Sequence, residues 1–205
     1  MRPSWNEYFM VIAKIISTRS TCNSRPTGAV VVKEKHILST GYNGSMPGAP
    51  HCSDVETNDG KPFCFRRDIN APELDKYNFC RSSHAEANAI ARAAKLGIKL
   101  EGATLFVTLA PCYVCLKQIA NAGIRHVYYE YDYESTNVQR DDFWKKVIDE
   151  SPISTYKQLA VSNKTIKKIK MALLNPTSVR RLSEDYNTID NSYGMCDINP
   201  QNQKI

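Results

Sequence analysis

The chain has 205 residues, 42% of them hydrophobic, with seven cysteines and a formal net charge of +6. That suits one α/β domain with an extension, and the absence of any run of about 18 apolar residues or of a basic-then-apolar leader argues for a soluble, cytoplasmic protein without a membrane span. Nineteen Lys/Arg stand against seventeen Asp/Glu in residues 1–150, and eight against four in residues 151–205, so the larger part is nearly neutral and a nucleic-acid footprint is not expected there.

In chain order, Ser4-Trp5-Asn6-Glu7 is a capping box that opens an amphipathic helix, with Trp5, Phe9, Ile12 and Ile16 expected on its core-facing side. Thr27 to Lys33 and His36 to Tyr42 are apolar runs separated by Glu34-Lys35, which predicts a hairpin. Gly41-Tyr42-Asn43-Gly44 ends the second run; its glycines allow backbone to approach a ligand closely, or make a tight turn. Residues 43–82 are rich in Gly, Pro, Asn and Asp and read as a long functional loop. Residues 84–96 are alanine-rich and stop at Gly97, predicting a helix with His84 and Glu86 in its first turn. Thr104 to Leu109 reads as a buried strand, and Pro111 suits the first position of a helix running to Gly123. A strand at Arg125 to Tyr129, a helix over 138–150 and a short strand near Ile153 to Leu159 follow. The order β-β-α-β-α-β-α predicts a mixed sheet with helices on both faces. Asn163 to Leu174 reads as a basic helix stopped by Asn175-Pro176. The expected organisation is a domain over 1–160, an accessory helix over 161–176 and a polar, disordered tail over 177–205.

The chemistry concentrates in His84-Ala85-Glu86 and Pro111-Cys112-Tyr113-Val114-Cys115. One imidazole and two thiolates are three ligands of a tetrahedral zinc, with a fourth position left for water, as in a catalytic site. Cys112 and Cys115 fall one turn apart at a helix N-terminus, whose dipole favours thiolates. Glu86 remains outside the ligand set as a proton carrier, and H-x-E with P-C-x-x-C is the signature of zinc-dependent nucleobase deaminases. A lone C-x-x-C serves equally as a redox pair or half a zinc knuckle, but neither reading accounts for Glu86 or Pro111. Cys22, Cys52, Cys64 and Cys80 are four further soft ligands that could close a structural zinc site and order the 43–82 loop; the alternative is buried thiols. Arg25, ahead of the first strand, is either a forked donor for phosphate or a surface side chain.

Over roughly residues 4–133 these motifs, together with Arg19-Ser20-Thr21-Cys22, Gly28-Ala29-Val30, His51-Cys52 and Ala87-Asn88-Ala89, resemble the deoxycytidylate (dCMP) deaminases. The resemblance implies a three-layer α/β/α cytidine-deaminase-like fold with a mixed central sheet, a homo-oligomer, often a hexamer, and conversion of dCMP to dUMP for thymidylate synthesis. It also implies activation by dCTP with Mg²⁺ and inhibition by dTTP, with Tyr42, Asn43 and Gly44 in the effector site. By the same resemblance His84, Cys112 and Cys115 hold the catalytic zinc. A second zinc takes Cys22 and Cys52, completed by Cys80 and then Cys64 or His51. Asn23 and Tyr133, or Tyr131, grip the nucleotide. A tRNA adenosine or polynucleotide cytidine editor would need a basic, aromatic groove that the near-neutral domain does not offer, and a non-catalytic zinc scaffold would have no need of Glu86.

Overall fold

The computed structural model describes residues 2–58, 60–72, 77–132 and 138–174; Tyr133 and the expected tail over 177–205 lie outside them. In chain order the elements are α1 (Trp5–Ser17), β1 (Gly28–Lys33), β2 (His36–Tyr42), β3 (Gly44–Ser45), a 3₁₀ turn (Cys52–Asp54), α2 (Phe65–Asp68), β4 (Ser82–Ser83), α3 (Ala85–Lys95), β5 (Thr104–Leu109), α4 (Tyr113–Asn121), β6 (His126–Tyr131), α5 (Val138–Glu150), β7 (Thr155–Gln158) and α6 (Asn163–Leu174). The chain divides into one unit over residues 1–166 and a second that begins at Lys167 within α6. No helix among the described residues is long and apolar enough to cross a membrane.

The predicted hairpin is present, with β1 antiparallel to β2 from Gly28 opposite Tyr42 to Lys33 opposite His36. Glu34 and Lys35 turn it with φ of 51° and 65°, the left-handed pair that a two-residue turn matched to strand twist requires. β1 also pairs antiparallel with β5, β5 pairs parallel with β6, and β6 parallel with β7, giving the order β2-β1-β5-β6-β7. The sheet is therefore mixed, as expected.

Side-chain alternation along the strands builds the two helical layers. Val30, Val32 and Phe106 pack against Phe9, Met10 and Ala13 of α1. On the opposite face Ala29, Val31, Leu105 and Val107 pack against Ala85, Ala89 and Ala93 of α3 and Leu116 and Ile119 of α4. The alanines of α3 let it lie close to β2: a Cβ at Gly41 would run into the Ala85 carbonyl oxygen and sit 2.5 Å from the Ala89 nitrogen. Gly41 thus serves a close approach, but of protein to protein.

Three expectations change in detail. Trp5 is 52% exposed; as the first residue of α1 it lies ahead of the buried stretch that starts at Phe9, on which it stacks at 5.7 Å. Pro111 lies two residues ahead of Tyr113, the first residue of α4, because Cys112 takes the capping position between them. The 43–82 segment is organised in part, with a two-residue ladder between β3 and β4, the 3₁₀ turn and α2.

Candidate active site

The N-termini of α3 and α4 converge. His84 is the N-cap of α3 and Cys112 the N-cap of α4, each with extended backbone and no side-chain capping bond, so both side chains are free to turn towards a common point. Cys115 follows in the first turn of α4. His84 Nδ1 lies 3.5 Å from Cys112 Sγ and 3.4 Å from Cys115 Sγ. A tetrahedral zinc with ordinary Zn–N and Zn–S lengths would set nitrogen and sulfur about 3.6 Å apart, so the trio fits zinc closely. Among the described residues it is also the one group that brings three such ligand atoms within 4.8 Å of one another.

The electrostatics suit a cation. Hydrogen bonds from Cys115 and His84 draw the Cys112 thiol down to about 4, while sharing a proton with that thiolate, together with burial, pushes Cys115 up. The pair thus holds one negative charge, and a metal ion at its centre would favour the second thiolate as well. The Cys112 thiolate raises the His84 pKa against the opposing effect of burial. Glu86, in the first turn of α3, is only 4% exposed, and burial pushes its carboxyl up to about 7. A carboxyl poised there can both take and give a proton near neutral pH.

Glu86, His84 and Cys112 line a cavity of about 680 Å³. Arg25 also lines it. Asn23 is not among the lining residues; its Nδ2 donates to the carbonyls of Cys52 at 2.9 Å and Phe63 at 3.2 Å, tying the loop to the segment before β1. Tyr131 is 58% exposed and lies with Arg25 and Glu130 on a neighbouring cavity. Cys22, Cys52, Cys64 and Cys80 all line the main cavity. Burial, with smaller contributions from its three cysteine neighbours, raises the Cys52 pKa. These four surround a common volume without closing a cage of three ligands. His51 Nδ1, next to them in sequence, is buried without a hydrogen-bond partner.

The Tyr42-Asn43-Gly44 segment is largely occupied by the protein itself. Asn43 is buried; its Oδ1 accepts from Ser20 Oγ at 2.6 Å and from the Thr27 amide at 2.8 Å, and its Nδ2 donates to the Arg25 carbonyl at 2.9 Å. A Cβ at Gly44 would lie 2.5 Å from Thr21 Oγ1, and the Tyr42 carbonyl accepts from Asn88 Nδ2 at 2.8 Å. Sequence reasoning missed the cavity's other arginines, Arg66, Arg67 and Arg81. A signal was present, since they follow within three residues of Cys64 and Cys80, the cysteines expected at that loop site.

Comparison with known proteins converges on one family. The model of the cytidine and deoxycytidylate deaminase zinc-binding region matches residues 3–131. The chain is 42% identical over 133 residues to the deoxycytidylate deaminase of Mycobacterium phage D29, covering 62% of this chain and 95% of that one. It is 32% identical over 204 residues to ComE operon protein 2 of Bacillus subtilis (strain 168), covering 94% of this chain and 98% of the relative, so that similarity continues past residue 176. The crystal structure of dCMP deaminase from the cyanophage S-TIM5, in complex with dCMP and dUMP, superposes with a TM-score of 0.56 at 31% identity over 77% of this chain and 98% of that one. On matched sequence, shared fold and a ligand trio suited to zinc, the chain belongs to the zinc-binding cytidine and deoxycytidylate deaminase family.

Proposed function

We propose that this chain is a zinc-dependent dCMP deaminase, converting dCMP and water to dUMP and ammonia. The observation that carries the reading is the spacing of His84, Cys112 and Cys115 beside a buried carboxyl, Glu86, that is not one of the three. Zinc bound by the trio supplies a water acidic enough to act as hydroxide near neutral pH. Glu86 receives the first proton of that water and delivers it to ring N3, which makes C4 electrophilic. As oxygen adds to C4, Glu86 takes the second proton and passes it to the exocyclic amine. The C4–N bond then breaks, ammonia leaves and C4 keeps the oxygen as a carbonyl. The deaminase from phage D29 and the cyanophage enzyme solved with dCMP and dUMP support this choice of substrate.

Finer features belong to the same proposal. A second, structural zinc is supported by Cys22, Cys52, Cys64 and Cys80 around one volume and by the unpartnered Nδ1 of His51. Supply of dUMP for thymidylate synthesis in the cytoplasm, a homo-oligomer such as a hexamer, and control by dCTP with Mg²⁺ and by dTTP rest on the family resemblance. Trp5, Tyr8 and Ile15, exposed on α1, are apolar surface that a further subunit would cover. The test is ammonia release from dCMP, deoxycytidine, dCTP and single-stranded oligonucleotides by the zinc-loaded protein. Turnover of dCMP is expected, and oligonucleotide turnover in its place would reject the reading.

A further inference from the structure

The first turn of α4 carries both candidate zinc thiolates, and it is held from α5 as well as from the sheet. Cys112 caps α4 without a side-chain capping bond, and the terminal turn of a helix frays unless something ties it down. Tyr113 stands between the two cysteines in that turn, and its ring stacks on the Trp144 indole of α5 at 4.5 Å with the planes 8° apart. Its hydroxyl donates to Asp141 Oδ1. Asp141 and Trp144 are three residues apart, hence neighbours on one side of α5. Lys117, one turn beyond Tyr113, brings its Nζ to 5.7 Å from the centre of the Trp144 ring, so the indole lies across a full turn of α4. α5 in turn connects the parallel strands β6 and β7, and Ile148, one turn past Trp144, packs on the core cluster that also takes in Cys115 and Leu116 of α4. The contact therefore runs from a helix anchored at the sheet to the turn that holds both thiolates.

We infer that Trp144 and Asp141 are positioning residues for the zinc centre, acting through Tyr113 to hold Cys112 and Cys115 at the spacing His84 requires. This rests on the trio being the zinc site of the deaminase reading. The separations of 3.5 Å and 3.4 Å between His84 Nδ1 and the two sulfurs join two helices, so they persist only while the first turn of α4 keeps its place relative to α3. Stacking restrains the tilt of the Tyr113 ring, and the bond to Asp141 restrains its slide across the indole. Groups behind a metal's ligands that fix their orientation contribute roughly 10- to 10²-fold in metal affinity. Tyr113, Asp141 and Trp144 lie outside the described lining of the cavity, so their effect passes through the metal ligands.

The test is competition between zinc-loaded full-length protein and a chromogenic chelator, reading the affinity of the zinc ion that His84→Ala removes. Trp144→Ala and Tyr113→Ala should each weaken that ion roughly 10- to 10²-fold. Tyr113→Phe, which keeps the stack and loses the bond to Asp141, should weaken it about 2- to 10-fold. Trp144→Phe restores a flat ring and should stay within about threefold of wild type. Tyr113→Ala combined with Trp144→Ala should cost no more than about twofold beyond the larger single loss, because the two side chains form one contact. Lys145→Ala, on the exposed side of α5 where Lys145 pairs with Asp142 at 3.0 Å, is the control and should change nothing. Where an alanine variant fails to fold, Tyr113→Phe and Trp144→Phe carry the comparison. Wild-type affinity in Trp144→Ala or in Tyr113→Phe, a Trp144→Phe variant as weak as the alanine one, or an equal loss in Lys145→Ala overturns the positioning role. Zinc that survives His84→Ala at full count and affinity overturns the trio itself, and with it the deaminase reading.

Discussion

Asn43→Ala separates a structural role for Asn43 from an effector-binding one. The side chain makes three hydrogen bonds, to Ser20 Oγ, the Thr27 amide and the Arg25 carbonyl. The Ser20 hydroxyl keeps a second acceptor, the Asn43 carbonyl at 3.0 Å, so its loss is small. The Thr27 amide is different. Thr27 is buried, and an unsatisfied buried donor costs about 1–3 kcal/mol, to which the lost bond to Arg25 adds about 0.5–1.5 kcal/mol. The expected destabilisation is therefore about 2–4 kcal/mol, read as a lower urea midpoint with unchanged slope at fixed protein concentration. Because the same side chain positions Arg25 and Thr27, both on the cavity wall, KM for dCMP should rise in parallel. A loss below about 0.5 kcal/mol, within the range of ordinary surface substitutions, would refute the assignment of Asn43 as the buried bracket of this segment.

Gly41→Ala should destabilise by at least about 1–3 kcal/mol, the usual cost of overpacking, because the new methyl meets the backbone of α3, which carries Glu86 as its second residue; thermal unfolding measures it, and an unchanged midpoint would show that β2 and α3 can part freely. Hydrogen bonds from Ser162 hold Glu7 down to about 2 from an ordinary 4.5. A depressed carboxyl contributes stability above its unfolded value that is lost as pH falls towards its folded one. The stability difference between wild type and Glu7→Gln should therefore shrink between about pH 5 and pH 3, and a pH-independent difference would remove the Ser162 contact from the account. Metal analysis should give about two zinc ions per chain, and Cys52→Ser should remove one and leave His84 metallated; a firm count of one in the wild type rejects the second site.

Much of the architecture was legible because it is written in local pattern. Alternation in β1 sends Val30 and Val32 to α1 and Ala29 and Val31 to α3, and an alanine-rich run can only be a helix that packs closely. The zinc trio was legible for a similar reason, since each ligand sits at or near a helix start. What was hidden depends on where distant segments meet. Periodicity put Trp5 on the same face as Phe9 but carried no information about where the covering core ends. The hydrogen bonds that hold Asn43 were not legible, because its partners lie 16 to 23 residues away. Arg66, Arg67 and Arg81 reach the cavity through the path of the 43–82 loop, which has too little regular structure to be traced from its sequence. The offset of Pro111 by two positions came from Cys112, whose ligand role places it at the cap.

The most direct test of the central claim is turnover of dCMP by Glu86→Gln measured beside its zinc content. Glu86 is outside the trio, so the variant should hold the catalytic zinc at wild-type occupancy with unchanged secondary structure, while ammonia release falls by at least the roughly 10²- to 10⁴-fold that general acid–base catalysis supplies. Near-wild-type turnover at full zinc occupancy would contradict the assignment of Glu86 as the proton carrier.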